Sequence, residues 1–491
     1  MLAVIDGMKP AALERAIETG RAPVLRAIRD RGTYVAGCAA MFPSVTPVCA
    51  TSIATGVRQD EHRIPAMCWY DRDERRYVDY GSSFASSRRM GFSRQLKDLI
   101  YNMNAVHLPA DVPTVFEQLD DAGVRTAGTT YLIYRGRHEH RPAKDSPLSR
   151  LASTLIRRPV MGPRELFYAD VFSSRETGCS STLGLPGARD QHTGCVGSYL
   201  LERDLCDFLL FSLPDNDTHS HKHGPEAQVA SIAEADRQLE RLALAAGGVK
   251  AFLDAWAVIA VADHSHAPIE HTVPLEAALE ARFEVLAPSG RRADEAEVAL
   301  CPSQRSAQLY ALGEERAAVV GRLVETALEL DGVDVACFRA PDGDGVIARG
   351  SRDAYRELRF APGTSVEDAR GERWRVHGDL GVLGARIDGV RLSSPDYPDA
   401  LARVWAALTC PTSGDVVLSA APGWEFPDWG GVDHVDGGSH GSLHAVDSLG
   451  ALVFCGVDAP PERAAGGSWS IRDIAPMAVG HFLGSDGERL P

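Results

Sequence analysis

The chain has no apolar run long enough to span a bilayer, no signal-peptide pattern, no basic tract, no internal repeat and no low-complexity segment. The first two absences predict a protein without a helical anchor or leader, expected in the cytoplasm. The lack of a basic tract, with a net charge of −16, argues against a nucleic-acid polymer or an anionic membrane as partner. The acidity says little about a small anionic substrate, because bound metal can supply the positive charge. None of the ten cysteines forms a CxxC pair, which speaks against a zinc ribbon. Several, such as Cys206 and Cys455, fall in apolar strand-like runs, so buried reduced thiols are expected rather than a disulfide framework.

What is present is the composition of a globular protein. With 491 residues, 44 % hydrophobic and 24 % charged, the chain can bury a sizeable core as one large α/β domain with insertions, or as two domains. Leu2–Ile5 reads as a short buried strand ending at Asp6. So abrupt a start predicts either a short first strand or a true N-terminus further upstream. Pro10–Asp30 has helical spacing, broken near Gly20 and Pro23, and Thr33–Ala40 is the next strand. This βαβ start implies a parallel sheet covered by helices, with ligands beyond the carboxyl ends of its strands. The following stretch, Met41–Gly56, reads as a helix start: Thr46 at the N-cap, Pro47 at the first helical position and Gly56 past the end. A hydroxyl there faces unpaired N–H groups and the positive end of the helix dipole.

Further along, Pro113–Ala122 and Val124–Tyr131 read as helix and strand, and Arg135–Arg175 as a loop or lid. Cys206–Leu213 is an apolar strand, Ala227–Ala245 an amphipathic helix and Ala255–Val261 another buried strand. From about 268 to 411 the pattern changes to a smaller α/β insertion, with strand–helix–strand over Gln308–Leu312, Glu315–Leu330 and Val333–Phe338. Gly414–Ala420 and Ser448–Gly456 are expected as strands of the main sheet, and Ile471–Leu483 as a closing helix.

Acidic and histidine residues recur at strand ends: Asp6, then Asp217 with His221, then Asp263 with His264. His440 sits in a glycine-rich loop before a strand. Carboxylate oxygens and imidazole nitrogens suit zinc or manganese. A lone Asp after a strand usually caps a turn, so the weight lies in the ordered set. Within Asp215–His223 the spacing also admits Asp215 with His219.

The set resembles the alkaline phosphatase superfamily, in its type I phosphodiesterase/nucleotide pyrophosphatase branch. The resemblance is carried by VIDGM (Val4–Met8), FPSVTPVCATSIATG (Phe42–Gly56), DTHSHKHGP (Asp217–Pro225), AVADHSH (Ala260–His266) and GGSHG (Gly437–Gly441). It implies an alkaline-phosphatase-like, mostly parallel central sheet flanked by helices, built from residues 1–265 and 412–491, with 268–411 as an α/β insertion or cap. It implies two divalent ions, zinc or manganese, one held by Asp6, Thr46, Asp263 and His264, the other by Asp217, His221 and His440. Anchoring on Gly224-Pro225 selects Asp217 and His221 over Asp215 and His219. Two cations roughly 4 Å apart would clamp the attacking and leaving oxygens of an in-line displacement, with Thr46 forming a phosphothreonine.

The expected activity is hydrolysis of a phosphodiester or phosphoanhydride in a small substrate. Phosphonate hydrolysis, phosphomonoester hydrolysis or a silent metal-binding relative are the alternatives. The family's phosphate-binding Asn would align with Met67, which cannot donate a hydrogen bond; Cys68, Trp69 and Tyr70 are the candidates for its place. The substrate's second ester group is expected beside Pro47, Trp69 and Tyr70. His219, His223, His266, His271, His434 and His444 are expected outside the ligand set, and Arg58 and Arg63 at the surface.

Overall fold

The computed structural model describes residues 1–142, 157–169, 171–181, 185, 187–288, 295–350 and 356–484. Leu2–Ile5, wholly buried, lies near the middle of a nine-stranded sheet. It pairs in parallel with Phe208–Leu213 on one side and Val258–Val261 on the other. Thr126–Thr129 and Glu165–Tyr168 extend the sheet in parallel beyond Phe208–Leu213. On the other flank Leu449–Cys455 runs antiparallel between Val258–Val261 and Thr33–Ala39. The sheet is therefore mostly parallel, and its central strands are near-continuous apolar runs because helices cover both faces. Pro10–Glu18 and Pro23–Arg31 are separate helices, each started by a proline in its first turn, as the break near Gly20 and Pro23 predicted.

A second nine-stranded sheet contains Val298–Ser303, Ser306–Ala311, Val333–Arg339 and Val346–Gly350, with the helix Arg316–Leu328 packed nearby. It also contains Val416–Ala420, which pairs with Ser306–Ala311 and Val333–Arg339. The expectation that this strand returns to the main sheet is thus corrected. An apolar run of five residues fits either sheet equally well, and only its partners decide.

Three further expectations change. Arg135–Arg175 is more than a loop, since Val160–Gly162 and Glu165–Tyr168 are strands; its residues 143–156 and 170 lie outside the described set. Cys179 and Cys195 form a disulfide, although the other eight cysteines are buried and free as expected. Their separation of 16 residues carries no pairing signal. Finally, Val45 is the N-cap of the helix Thr46–Thr55 and Thr46 its first residue, with Gly56 left-handed at its end. That one-residue shift frees the Thr46 hydroxyl from capping.

Candidate active site

The strand ends of the main sheet bring the acidic and histidine residues together. Asp6 follows Leu2–Ile5, and its N–H continues the ladder to Leu213 O at 3.1 Å. Asp217 and His221 stand one turn apart on the helix Asp215–His223, directly after Phe208–Leu213. Asp263 and His264 follow Val258–Val261, and His440 follows the short strand Gly438–Ser439, which pairs with Ala267–Thr272. Gly7 lets this edge close up. Its φ is +67°, and a Cβ there would lie 2.7 Å from the His266 ring, so only glycine fits.

Two groups result. In the first, His264 Nε2 lies 3.4 Å from Asp6 Oδ1, 3.5 Å from Asp263 Oδ2 and 3.3 Å from Thr46 Oγ1. In the second, Asp217 Oδ1 lies 3.3 Å from His221 Nε2 and 3.4 Å from His440 Nε2. The rings of His264 and His440 stack with centroids 3.5 Å apart, joining the groups.

The tautomers follow from the partners on the other ring nitrogen. Nδ1 of His221 faces Gly438 O at 2.8 Å, that of His440 faces Ser44 O at 2.8 Å, and that of His264 faces Ser265 O at 3.1 Å. A carbonyl only accepts, so each Nδ1 carries the proton and each Nε2 turns a lone pair toward the carboxylates. Lone pairs and carboxylates converging in a buried site repel unless a cation lies among them. Asp6 Oδ1 is buried without a hydrogen-bond partner among the described residues. Burial, with the charges of Asp263 and Asp217, pushes the Asp6 carboxyl well up. Asp263 is pushed up to about 6, chiefly by burial. Burial also holds His264 well below the ordinary histidine range. These crowded oxygen and nitrogen donors fit divalent cations.

His266 is a residue the sequence placed outside the ligand set, and the structure puts it inside the site. It is fully buried, with Nε2 2.9 Å from Asp217 Oδ1. Distance alone would admit it to a metal-binding group with Asp217, His264 and His440. Its Nδ1, however, has no partner among the described residues to fix a proton there. The 2.9 Å contact is therefore an Nε2–H donated to Asp217, which orients the carboxylate.

Asp215 is turned away, accepting from Arg189 Nε at 2.8 Å and Asp190 N at 3.0 Å. His219 pairs with His223, with ring centroids 4.7 Å apart, and His271 lies against Trp424. His444 caps the short helix Ala445–Ser448. His434 stacks on His221 at 4.1 Å while its Nδ1 meets Glu425 Oε2 at 3.0 Å.

Trp69 and Tyr70 are buried in the core, packed on His107 and on Tyr77 and Tyr310. They are not available to line a substrate cleft, because the hairpin of Cys68–Asp71 with Arg76–Asp79 directs them inward. Arg58 is no free surface cation either: its Nη1 lies 2.9 Å from both carboxylate oxygens of Glu372. Arg63 is exposed, as expected. Met67 shares a small cavity with Ser82, Gln304, Glu425 and His434. Gln304, Arg305 and Glu425 belong to this neighbourhood without any motif to announce them.

The family model for type I phosphodiesterase/nucleotide pyrophosphatase matches residues 2–443. The chain belongs to this family. The match spans both groups of site residues, from Asp6 to His440. No curated protein matches the chain. Among solved structures, phosphonoacetate hydrolase from Sinorhizobium meliloti 1021, in complex with phosphonoformate, is similar at 18 % identity, covering 97 % of this chain and 95 % of that one, with a TM-score of 0.53. Human ectonucleotide pyrophosphatase/phosphodiesterase 5 is similar at 12 % identity, covering 97 % and 92 %, with a TM-score of 0.54. An inactive murine form of that protein, in complex with AMP, is similar at 11 % identity, covering 92 % and 87 %, with a TM-score of 0.53. At such identities these likenesses establish the fold of this type I phosphodiesterase-family chain, a mixed α/β architecture around a mostly parallel sheet.

Proposed function

We propose that the protein is a two-metal phosphoryl-transfer hydrolase that cleaves a small phosphodiester or phosphoanhydride through a phosphothreonine at Thr46. The observation that carries this is the first group: the Thr46 hydroxyl faces the His264 lone pair at 3.3 Å, beside Asp6 and Asp263. Asp6, Thr46, Asp263 and His264 would hold one divalent cation and Asp217, His221 and His440 the other, zinc or manganese. Bound there, the cations would supply Lewis-acid polarisation and offset the charge developing on the attacking and leaving oxygens.

The chain's own residues do the rest. The helix Thr46–Thr55 points the positive end of its dipole at the nucleophile and the phosphoryl oxygens. Thr46 Oγ1 attacks phosphorus, the bond to the leaving oxygen breaks, and the threonine ester forms. Water then attacks the same phosphorus and restores the hydroxyl. His266 and the carbonyls of Gly438, Ser44 and Ser265 hold the carboxylate and imidazoles in register.

Charge favours a diester or anhydride over a monoester. A monoester dianion calls for an extra cation on its oxygens. Among the described residues, no arginine or lysine forms an ion pair with Asp6, Asp217 or Asp263, whose ion-pair partners are histidines. Arg58 is committed to Glu372. The test compares kcat/KM for bis-p-nitrophenyl phosphate, a p-nitrophenyl nucleotide ester and p-nitrophenyl phosphate at one pH and metal loading. The diesters should be preferred, and Thr46→Ala should abolish turnover while keeping metal. A clear monoester preference would overturn the diesterase reading; near wild-type activity in Thr46→Ala would make water the direct attacker.

A phosphonate hydrolase is the second reading. The likeness to phosphonoacetate hydrolase over nearly the full length of both chains supports it. Release of inorganic phosphate from phosphonoacetate in the same panel, with the diesters inert, would establish it.

A further inference from the structure

Gln304 occupies the tight turn between the second-sheet strands Val298–Ser303 and Ser306–Ala311. Its backbone is left-handed, with φ +62°, a conformation that glycine adopts freely and a branched Cα does not. The turn is locked on every side. Gln304 O accepts from Phe426 N at 2.7 Å, Arg305 N donates to His440 O at 2.9 Å, and Ser303 Oγ accepts from Cys68 N at 3.2 Å. Arg305, fully buried, pairs with Asp447 at 2.7 Å and donates to Ala421 O at 2.8 Å. Glycine would satisfy this geometry at lower cost, so the side chain itself calls for an explanation.

That side chain enters the site. Its amide Nε2 lies 3.4 Å from His221 Nε2, and its Oε1 is buried with no hydrogen-bond partner among the described residues. The His221 nitrogen presents its lone pair toward Asp217, so a cation on that side takes the lone pair and leaves the amide without a protein partner. A substrate oxygen on such a cation would therefore stand close to the Gln304 amide. Met67, on the same cavity wall, has no donor to offer, and Glu425 is committed to His434.

We propose that Gln304 contacts substrate, donating its side-chain amide to a non-bridging oxygen of the phosphorus group on the Asp217, His221 and His440 side. This rests on the two-metal hydrolase reading above. A neutral amide suits a monoanionic diester or anhydride, because it satisfies an oxyanion without adding a cation. The residue comes from a turn of the second sheet, so that sheet adds to the recognition surface of a site assembled chiefly at the edge of the first.

The experiment uses the metal-loaded enzyme and two variants. Gln304→Gly removes the amide and relaxes the turn; Gln304→Leu removes the amide but keeps bulk and strain. Four quantities are read: kcat and KM for bis-p-nitrophenyl phosphate, calorimetric Kd for inorganic phosphate, metal content and Tm. Both variants should keep metal, lose roughly 10- to 100-fold in kcat/KM, as expected for a hydrogen bond to a charged group, and bind phosphate more weakly. Gln304→Gly should keep or raise Tm. Wild-type kcat/KM and phosphate Kd in both variants would overturn the contact. Loss of metal or Tm in Gln304→Gly would make the role structural and overturn it too. A metal-loaded wild type that neither hydrolyses esters nor binds phosphate would sink the hydrolase reading and Gln304 with it. Unchanged variants of an active wild type would sink Gln304 alone.

Discussion

Arg305 and Asp447 form an ion pair with neither side chain exposed, Nη1 to Oδ1 at 2.7 Å. The pair ties a turn of the second sheet to the segment just after His440. Asp447 also accepts from Ser442 N and Oγ. Although burial pushes its carboxyl up, Arg305 and Ser442 hold it below the usual carboxylate range. Removing one partner leaves an uncompensated buried charge. Asp447→Asn should cost about 3–5 kcal/mol in chemical denaturation and should lower metal occupancy by displacing His440. The double variant Arg305→Met/Asp447→Leu should be less destabilised than Asp447→Asn. A single-variant cost below about 1 kcal/mol, typical of an exposed pair, would contradict this role.

Metal content tests the two groups separately. Reconstitution with zinc or manganese followed by elemental analysis should find close to two ions per chain. Asp263→Ala and His440→Ala should each lower that value. No bound metal, with both variants indistinguishable from wild type, would refute the assignment.

His266 is predicted to act through Asp217 rather than as a ligand. His266→Leu should weaken binding of one of the two ions by roughly 10- to 100-fold, as outer-sphere partners do, and leave the other in place. Competition with a chelator reads the two affinities. A variant that loses one ion outright, as His221→Ala should, would instead make His266 a direct ligand.

The pH dependence of stability should carry the mark of His62. Its side chain is fully buried, Nδ1 accepting from Ile64 N at 3.2 Å and Nε2 facing Ser52 Oγ at 3.2 Å. Burial lowers its pKa from 6.5 to about 3. The unfolded chain therefore binds a proton below about pH 6.5 that the folded chain refuses. Its contribution is present above that pH and is lost as pH falls toward 3, at about 1.4 kcal/mol per pH unit. Urea unfolding at pH 7 and pH 5 should show a steeper loss for wild type than for His62→Gln. Equal slopes would mean that His62 is protonated in the folded protein.

The order of motifs was enough to read the parallel sheet and the gathering of acidic and histidine residues at its edge. Each of Asp6, Asp217 and Asp263 follows an apolar run, and chain physics places such residues at the carboxyl edge of the sheet. Local signals of this kind survive in a linear sequence because strand, turn and ligand are consecutive. The helix break at Gly20 and Pro23, and the left-handed Gly56, were legible for the same reason.

Partners distant in sequence were not legible. Val416–Ala420 joined the second sheet because its neighbours there are Ser306–Ala311 and Val333–Arg339. Trp69 and Tyr70 turned into the core through their hairpin, and Arg58 found Glu372 across 314 positions. His266 became part of the site because Gly7 has no side chain to keep it out. Gln304 met His221 because Arg305 found Asp447. The sequence by itself determined which acidic and histidine groups follow the strands and at which edge they would gather, since that information is local. Only the tertiary structure decided which side chains surround them, because a contact between distant residues depends on packing that no single stretch encodes.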